Sequence, residues 1–461
     1  MKITPLYKEI YSDQETPVSG FLKLTDNNSK PGFLLESKEK VEHIGRYSLM
    51  GVFSDKRFEF SEEPFTELKK VLNSITFDQG DLSLPFSGGL IGYFSYDSIQ
   101  YIENLSLKNP DTLKLPETLF ILPEIYLVFD HFLNKGYLFT LINDSGKDTD
   151  LSYSKETGTS ILNYYDKKFN NTISTDELKP LPLKKDLKLY SNFSKQDFME
   201  IVKKGKEYII NGDIFQTVLS QRIKIPTENS GFNIYRNLRT INPSPYMFYF
   251  NFKEYELIGS SPEILVKKTG SKAILKPIAG TRIRGVKKDD ELGRELLSDE
   301  KELAEHTMLV DLARNDLNRV VDHSTLEVTQ LYGIEKYSAV LHIVSEVVGR
   351  LKPTFDSVDL FRATFPAGTV TGAPKIRAME IIEELENIKR SIYSGGIGYF
   401  SFNGDMDFCI AIRTIIKKGN TVYIQAGAGI VADSIPEKEY EETLNKAKAL
   451  IQATHFKEVK K

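Results

Sequence analysis

GGIGYFSFNGDMDFCIAIRTIIKKGNTVYIQAGAGIV, residues 395–431, decides the fold class. Apolar and β-branched runs are parted by Asn403-Gly404 and Gly419-Asn420, pairs suited to tight turns with positive φ. That spacing predicts a three-stranded antiparallel meander. Within its middle run Cys409, Ala411 and Arg413 alternate onto one face. An arginine on a small-residue strand face calls for a carboxylate partner. Cys409, in an apolar strand-like run, reads as a small core residue and not as a nucleophile.

The neighbouring sequence repeats the pattern. PYMFYFNF (245–252) and YELIGSS (255–261) predict a hairpin pair, and IFQTVLSQRIKI (214–225) a further strand. Short strands and turns fill 32–140. Helical periodicity appears from Ser194 to Gly212, with Ser194 and Asp197 placed to cap and Gly212 to stop; over 299–320; and from Ser434, with Glu437 three residues on, to the end of the chain. Strands outnumber helices and come in hairpins. The expected class is α+β with antiparallel sheets, not a doubly wound parallel sheet. A polar stretch at 143–190 divides an N-terminal region, 1–185, from a C-terminal region, 190–461. GGLIGYFSYD (88–97) echoes GGIGYFSFNGD (395–405), which suggests similar hairpins in two sheets.

Bulk properties exclude several classes. A formal net charge of -4 gives no reason to expect nucleic acid or an anionic membrane as partner. No apolar run is long enough for a membrane helix, and the N-terminus has no apolar signal core. One cysteine excludes intrachain disulfides and fits a reducing cytoplasm. Tryptophan is absent, which a composition rich in Lys, Asn, Ile and Phe can explain.

Three constellations carry possible chemistry. Glu302/Glu305 and Glu439/Glu442 are each three apart on a predicted helix, so each helix offers two carboxylates to one point. Either these are solvated helix faces, or they meet around a hard cation such as Mg²⁺. PIAGTRIRG (277–285) sets glycine amides beside Arg282 and Arg284, a combination suited to an anion. QAGAGIVAD (425–433) matches G-x-G-x-x-A, but Pro436 and the nearby end of the chain leave no room for the rest of a dinucleotide unit. Bare amides there can still meet a carboxylate. His342, in an apolar run, is either a satisfied core residue or a catalyst.

Taken together, LLESKEKVEHIGRYSLMG, NPSPYMFYF, GSSPEIL, PIAGTRIRG, FPAGTVTGAPKIRAME and QAGAGIVADSIPEKEYEETLNKA resemble anthranilate synthase component I, a chorismate-utilising family of tryptophan biosynthesis, from Gly32 to Leu450. The resemblance implies a fold of two large antiparallel β-sheets packed together with helices on the outside, and a lyase that converts chorismate and ammonia to anthranilate and pyruvate. It places Gly280, Thr281, Gly427, Ala428 and Gly429 as donors to the substrate, with Tyr393, Arg413 and Lys446 on its carboxylates. Glu305 and Glu442 would hold Mg²⁺, assisted by Glu302 and Glu439. Glu263 would protonate the leaving hydroxyl, and His342 would serve the elimination, with Gln216 and Thr369 completing the catalytic set. Glu36, Ser37, Pro245, Tyr246 and Met247 match a feedback site for L-tryptophan.

Two departures from related families matter. Aminodeoxychorismate-forming relatives carry a lysine where this chain has Ala279, and isochorismate-forming relatives carry one where it has Gln216. Both departures imply an external ammonia nucleophile. The single cysteine implies that ammonia comes from a separate glutaminase subunit. Aminodeoxychorismate synthase component I, and a sensor that only binds tryptophan, are the alternatives.

Overall fold

The computed structural model describes residues 1–37, 45–169, 189–285, 287–337 and 340–454. Two long strands, Tyr47–Glu59 and Thr118–Asp130, ladder antiparallel and form a shared spine. One sheet leaves Thr118–Asp130 through Gly89–Phe94, Gly396–Ser401, Met406–Ile410, Ile264–Thr269 and Lys272–Leu275. It ends at Val340–Arg350, flanked by Ile278–Ile283 and Glu327–Lys336. The other leaves Tyr47–Glu59 through Gly32–Glu36, Tyr246–Asn251, Glu256–Ser261, Thr414–Lys418, Thr421–Ile430 and Gln216–Pro226. Strand Lys2–Tyr11 pairs antiparallel with Lys135–Asn143 and parallel with Thr76–Phe77, the one parallel ladder among the described strands.

Period-2 alternation sorts side chains between two cores. Phe248, Phe250, Leu257 and Ile416 point into the space between the sheets, where they meet Phe94, Phe120, Phe361, Phe400 and Phe408. Their strand neighbours Met247, Tyr249, Ile258 and Ile415 point the other way, onto the helices Pro17–Leu24, Gly231–Ile241 and Pro436–Thr454. Core packing at native density on both faces of a strand holds it in one register, because a one-residue slip would exchange the two faces.

The expected meander is corrected. Residues 395–431 form four strands, and Met406–Ile410 does not pair with Thr414–Lys418. At Ala411–Arg413 the chain passes from one sheet to the other, with Arg413 at φ 49. Pro262-Glu263 makes the reverse passage between Glu256–Ser261 and Ile264–Thr269. The two passages lie side by side: Ile410 N–H donates to the Glu263 carbonyl (3.0 Å), and Ser260 N–H to the Arg413 carbonyl (3.1 Å). Glu263 and Arg413 therefore stand together at the seam of the two sheets.

Other expectations meet varied outcomes. The hairpin at 246–261 and the helix Lys195–Ile210, capped by Ser194 onto Asp197 N–H and stopped at Gly212 with φ 84, are present. The last helix begins at Pro436, and Ser434 does not close a box with Glu437. Ser434 Oγ accepts from Val431 N–H (3.1 Å), while Glu437 is ion-paired with Lys195. The two echo segments do not lie in separate sheets. They are adjacent strands, with Gly92 opposite Gly398. The polar connection holds a helix, Lys155–Phe169, and 170–188 lie outside the described residues.

Candidate functional site

A cavity of about 610 Å³ opens beside the two passages. The helices Glu300–Asn318 and Pro436–Thr454 flank it and bring Glu302, Glu305, Glu439 and Glu442 to its lining. The i,i+3 spacing does place each pair on one face. Burial raises the pKa of Glu305, and the charges of Glu302 and Glu442 add to it. Burial and then Glu442 raise that of Glu439. The carboxylates are thus close enough to repel one another. They are held apart by partners: Lys446 on Glu442 (2.6 Å), Arg282 on Glu302 (3.1 Å) and Gln216 Nε2 on Glu305 (3.2 Å). Among the described residues no three metal-binding groups close on one point. Four oxygen-donor carboxylates suit a hard divalent cation, which would recruit Glu442 and Glu305 away from these partners.

Glu263 lines the same cavity. Burial pushes its carboxyl up to about 8, against the Thr369 hydroxyl and the Lys446 charge. It therefore carries its proton at neutral pH, as a general acid must. His342 is on Val340–Arg350, across the ladder from Thr281. Its Nδ1 lies 2.8 Å from the Gly280 carbonyl, which can only accept, so Nδ1 holds the proton and Nε2 has a free lone pair. Burial lowers its pKa and keeps the ring neutral. This is the constitution of a base.

Of PIAGTRIRG, the structure brings Gly280 and Thr281 to the cavity and turns both arginines onto carboxylates of the protein. Gly280, at φ 65, and Thr281 line the cavity. Arg282 is engaged by Glu302 and Asp299, and Arg284 by Asp289. Gly427 and Gly429 line the cavity too, whereas the Ala428 methyl turns into the core behind, with Phe198 and Ile382. A Cβ at Gly427 would come within 2.8 Å of the Tyr393 hydroxyl, so only bare backbone leaves that phenol free. Arg413 donates to the Lys446 carbonyl (2.5 Å), and among the described residues it pairs with no carboxylate. Gln216, Thr369, Tyr393, Arg413 and Lys446 all face the same space, and the Gln216 Oε1 is buried with no partner among the described residues.

Residues 30–452 match the family described as chorismate binding enzyme. The chain is 44% identical to anthranilate synthase component 1 of Aquifex aeolicus over 99% of its length and 95% of that protein's. It is 45% identical to that of Acetivibrio thermocellus over 98% and 95%. The crystal structure of anthranilate synthase component I from Streptococcus pneumoniae superimposes with a TM-score of 0.80 at 38% identity, covering 90% of this chain and 94% of that one. The chain belongs to the anthranilate synthase component 1 family of chorismate-binding enzymes. The Escherichia coli isochorismate synthase MenF shares the fold alone, with a TM-score of 0.77 at 20% identity.

The chain has a second cavity, of about 450 Å³, on the other side of Pro262 and Ile278, which line both spaces. Glu36, Ser37, Pro245, Tyr246 and Met247 all line it. Glu36 is already bound by Tyr235 and Arg239, and Tyr246 donates to Asp407 (3.0 Å). Ser37 Oγ is buried without a partner among the described residues. Cys409 is a buried core residue, as expected from sequence, and also borders this cavity.

Sequence reading missed the charged lining of this second space: Arg46, Lys267 paired with Asp407 (2.9 Å), and Lys276 paired with Glu335 (3.1 Å). Isolated charges on strands carry no sequence signal of their own, since most such charges face water.

Proposed function

We propose that this chain converts chorismate and ammonia to anthranilate and pyruvate, with ammonia supplied by a separate glutaminase subunit. The observation that carries this reading is the pairing, in one cavity, of a protonated buried Glu263 with a neutral His342 whose Nε2 is free. An acid and a base poised in opposite protonation states at neutral pH fit a reaction that needs both.

Chorismate is a dicarboxylate. Arg413, Lys446 and the Tyr393 hydroxyl bind one end, and the amides near Gly280 and Gly427–Gly429 supply neutral donors. Ammonia adds at C2 of the ring, Glu263 gives its proton to the departing C4 hydroxyl, which leaves as water, and the Glu263 carboxylate takes up the proton that the new C2 ammonium sheds. His342 Nε2 then accepts the C2 proton as the C3–O bond breaks and enolpyruvate departs. Glu305 and Glu442, with Glu302 and Glu439 behind them, would hold Mg²⁺, which when bound orients the ring carboxylate and offsets its charge. Ala279 and Gln216 offer neither an attacking amine nor a base for water, which favours external ammonia over the aminodeoxychorismate alternative.

The second cavity supports a feedback site for L-tryptophan formed where the N-terminal region meets Tyr246–Asn251. A ligand there acts by differential affinity for two states of the shared wall at Pro262 and Ile278. The lone, buried Cys409 is compatible with a cytoplasmic enzyme. The test is turnover: chorismate, Mg²⁺ and ammonium should yield anthranilate by fluorescence and mass, with glutamine ineffective until a glutaminase is added. Isochorismate, salicylate or 4-amino-4-deoxychorismate as main product overturns the reading.

A further inference from the structure

Behind the cavity wall, out of reach of any substrate, lies a buried ion pair that the chemistry above does not use. Arg390 and Glu386 have side chains 1% and 2% exposed. Desolvating both charges is costly, and one turn of helix or a packed leucine would fill the same space more cheaply. The contacts explain what the pair does there.

All five guanidinium N–H groups are committed. Nε and Nη2 bind both oxygens of Glu386 (3.0 and 2.6 Å). Nη2 also donates to the Val218 carbonyl (2.7 Å), and Nη1 to the Val370 carbonyl (2.7 Å) and to Ser394 Oγ (3.4 Å). The guanidinium carbon lies over the rings of Tyr96 (4.9 Å) and Tyr393 (5.5 Å). Glu386 Oε1 accepts in addition from Ser220 N–H and Oγ (both 2.8 Å). Ser220 Oγ in turn takes the Gln425 side-chain amide (2.8 Å).

Each of these anchors adjoins a residue that faces the cavity. Val218 is two residues from Gln216 on the same strand, and Val370 follows Thr369. Tyr393 lies under the guanidinium itself. Gln425 lies two residues before Gly427. The segments of Val218 and Val370, distant from Arg390 in sequence, are thus fixed to one planar group with the nearby Tyr393, and Gln425 is joined to it through Ser220 and Glu386. At Val218 and Val370 the anchor is a bare backbone carbonyl, which needs a donor when buried, and the guanidinium supplies it.

We propose that Arg390, held by Glu386, is the positioning residue of the substrate-facing wall, setting Gln216, Thr369, Tyr393 and the Gln425–Gly429 segment to one another. It touches no reacting atom. Its planar fork is what allows one cation to meet two carbonyls, a hydroxyl and a carboxylate at once, which the three rotatable donors of a lysine cannot reproduce. Over the Tyr393 ring, its charge also opposes the burial that would otherwise make that hydroxyl a poor donor.

The inference rests on the proposed reaction, and the test separates the two. Wild type and the variants Arg390→Lys and Glu386→Gln are assayed for anthranilate formation with ammonium. Chorismate affinity is measured independently by calorimetry, so the wall is tested even if the product is not anthranilate. Arg390→Lys should lower kcat about 100-fold, the scale of a 1 Å misplacement, and weaken chorismate binding at least several-fold. Glu386→Gln, which keeps the shape but loosens the fork, should cause a smaller defect in the same two quantities. Leu24→Ala, in the remote helix Pro17–Leu24, serves as the control for lost stability, and should lower Tm while leaving kcat and chorismate affinity as they were. If Arg390→Lys cannot be obtained folded, Glu386→Gln decides. Wild-type chorismate affinity and kcat in the folded variants, or equal defects in Leu24→Ala at a similar Tm, would overturn the proposal.

Discussion

Glu263 occupies a place no surface carboxylate has, at a passage between two sheets, and its proton is the consequence. The folded group titrates near 8, well above the ordinary 4.5. Between those values the native state holds a proton that the unfolded chain has lost. The group's contribution to stability is therefore complete below 4.5 and is lost as pH rises through 8. Glu263→Gln, which mimics the protonated form without a proton to give, should lower kcat about 10²- to 10⁴-fold. Its Tm should also gain on wild type from pH 5 to pH 9. Parallel Tm–pH curves for the two would show that Glu263 is not held protonated. Wild-type kcat should fall on the basic side near 8, where the acid form disappears, and on the acid side only below the ordinary imidazole value, because burial lowers His342. From sequence, Glu263 was reachable only through resemblance, since nothing in GSSPEIL marks a carboxylate as buried. Arg413 was legible as an arginine needing an anion, but the sheet-to-sheet passage that aims it was hidden, because IAIRTI reads as continuous strand.

Helix geometry made the four carboxylates legible at the scale of elements. A three-residue spacing fixes a shared face whatever the tertiary structure, so Glu302/Glu305 and Glu439/Glu442 could be paired before any fold was known. That the two helices face each other across one cavity could not. Glu305→Gln and Glu442→Gln keep side-chain size and remove the charge a hard cation requires. Each should raise the Mg²⁺ concentration for half-maximal activity by an order of magnitude or more, with little change in Tm. Unaltered Mg²⁺ dependence in both variants would remove them as ligands. On the strand side, Ser37 follows Gly32–Glu36 with a buried hydroxyl that has no partner among the described residues. Ser37→Phe should fill that end of the second cavity and abolish inhibition by tryptophan while turnover stays within about two-fold of wild type, scored by inhibition curves. Retained inhibition at the same tryptophan concentration would place the inhibitor elsewhere.

For the whole molecule, strand alternation was enough to give antiparallel sheets and the α+β class, because the period of two survives any topology. The order of strands was not legible. Gly89–Phe94 and Gly396–Ser401 are nearly identical in sequence, and their likeness suggested separate, equivalent hairpins; instead they lie against each other. A second ladder, Gly32–Glu36 with Tyr246–Asn251, joins the same two parts of the chain. Their shared core runs from Ile3 to Ile416. Calorimetry should accordingly give one unfolding transition and not two, and two resolved transitions would mean that the N-terminal and C-terminal parts hold together less tightly than these ladders imply.

That pairing has a consequence for synthesis on the ribosome. When Gly89–Phe94 emerges, one of its two neighbours will not exist until about 300 residues later. At roughly 5–20 residues per second, the nascent strand waits on the order of 15–60 s with one edge open. An unpaired, apolar edge is a template for aggregation. A fragment ending in the exposed turn at 144–147 should therefore precipitate when made alone and become soluble when the remaining piece is made in the same cell. The newborn chain has to be kept from its neighbours until its own last third arrives.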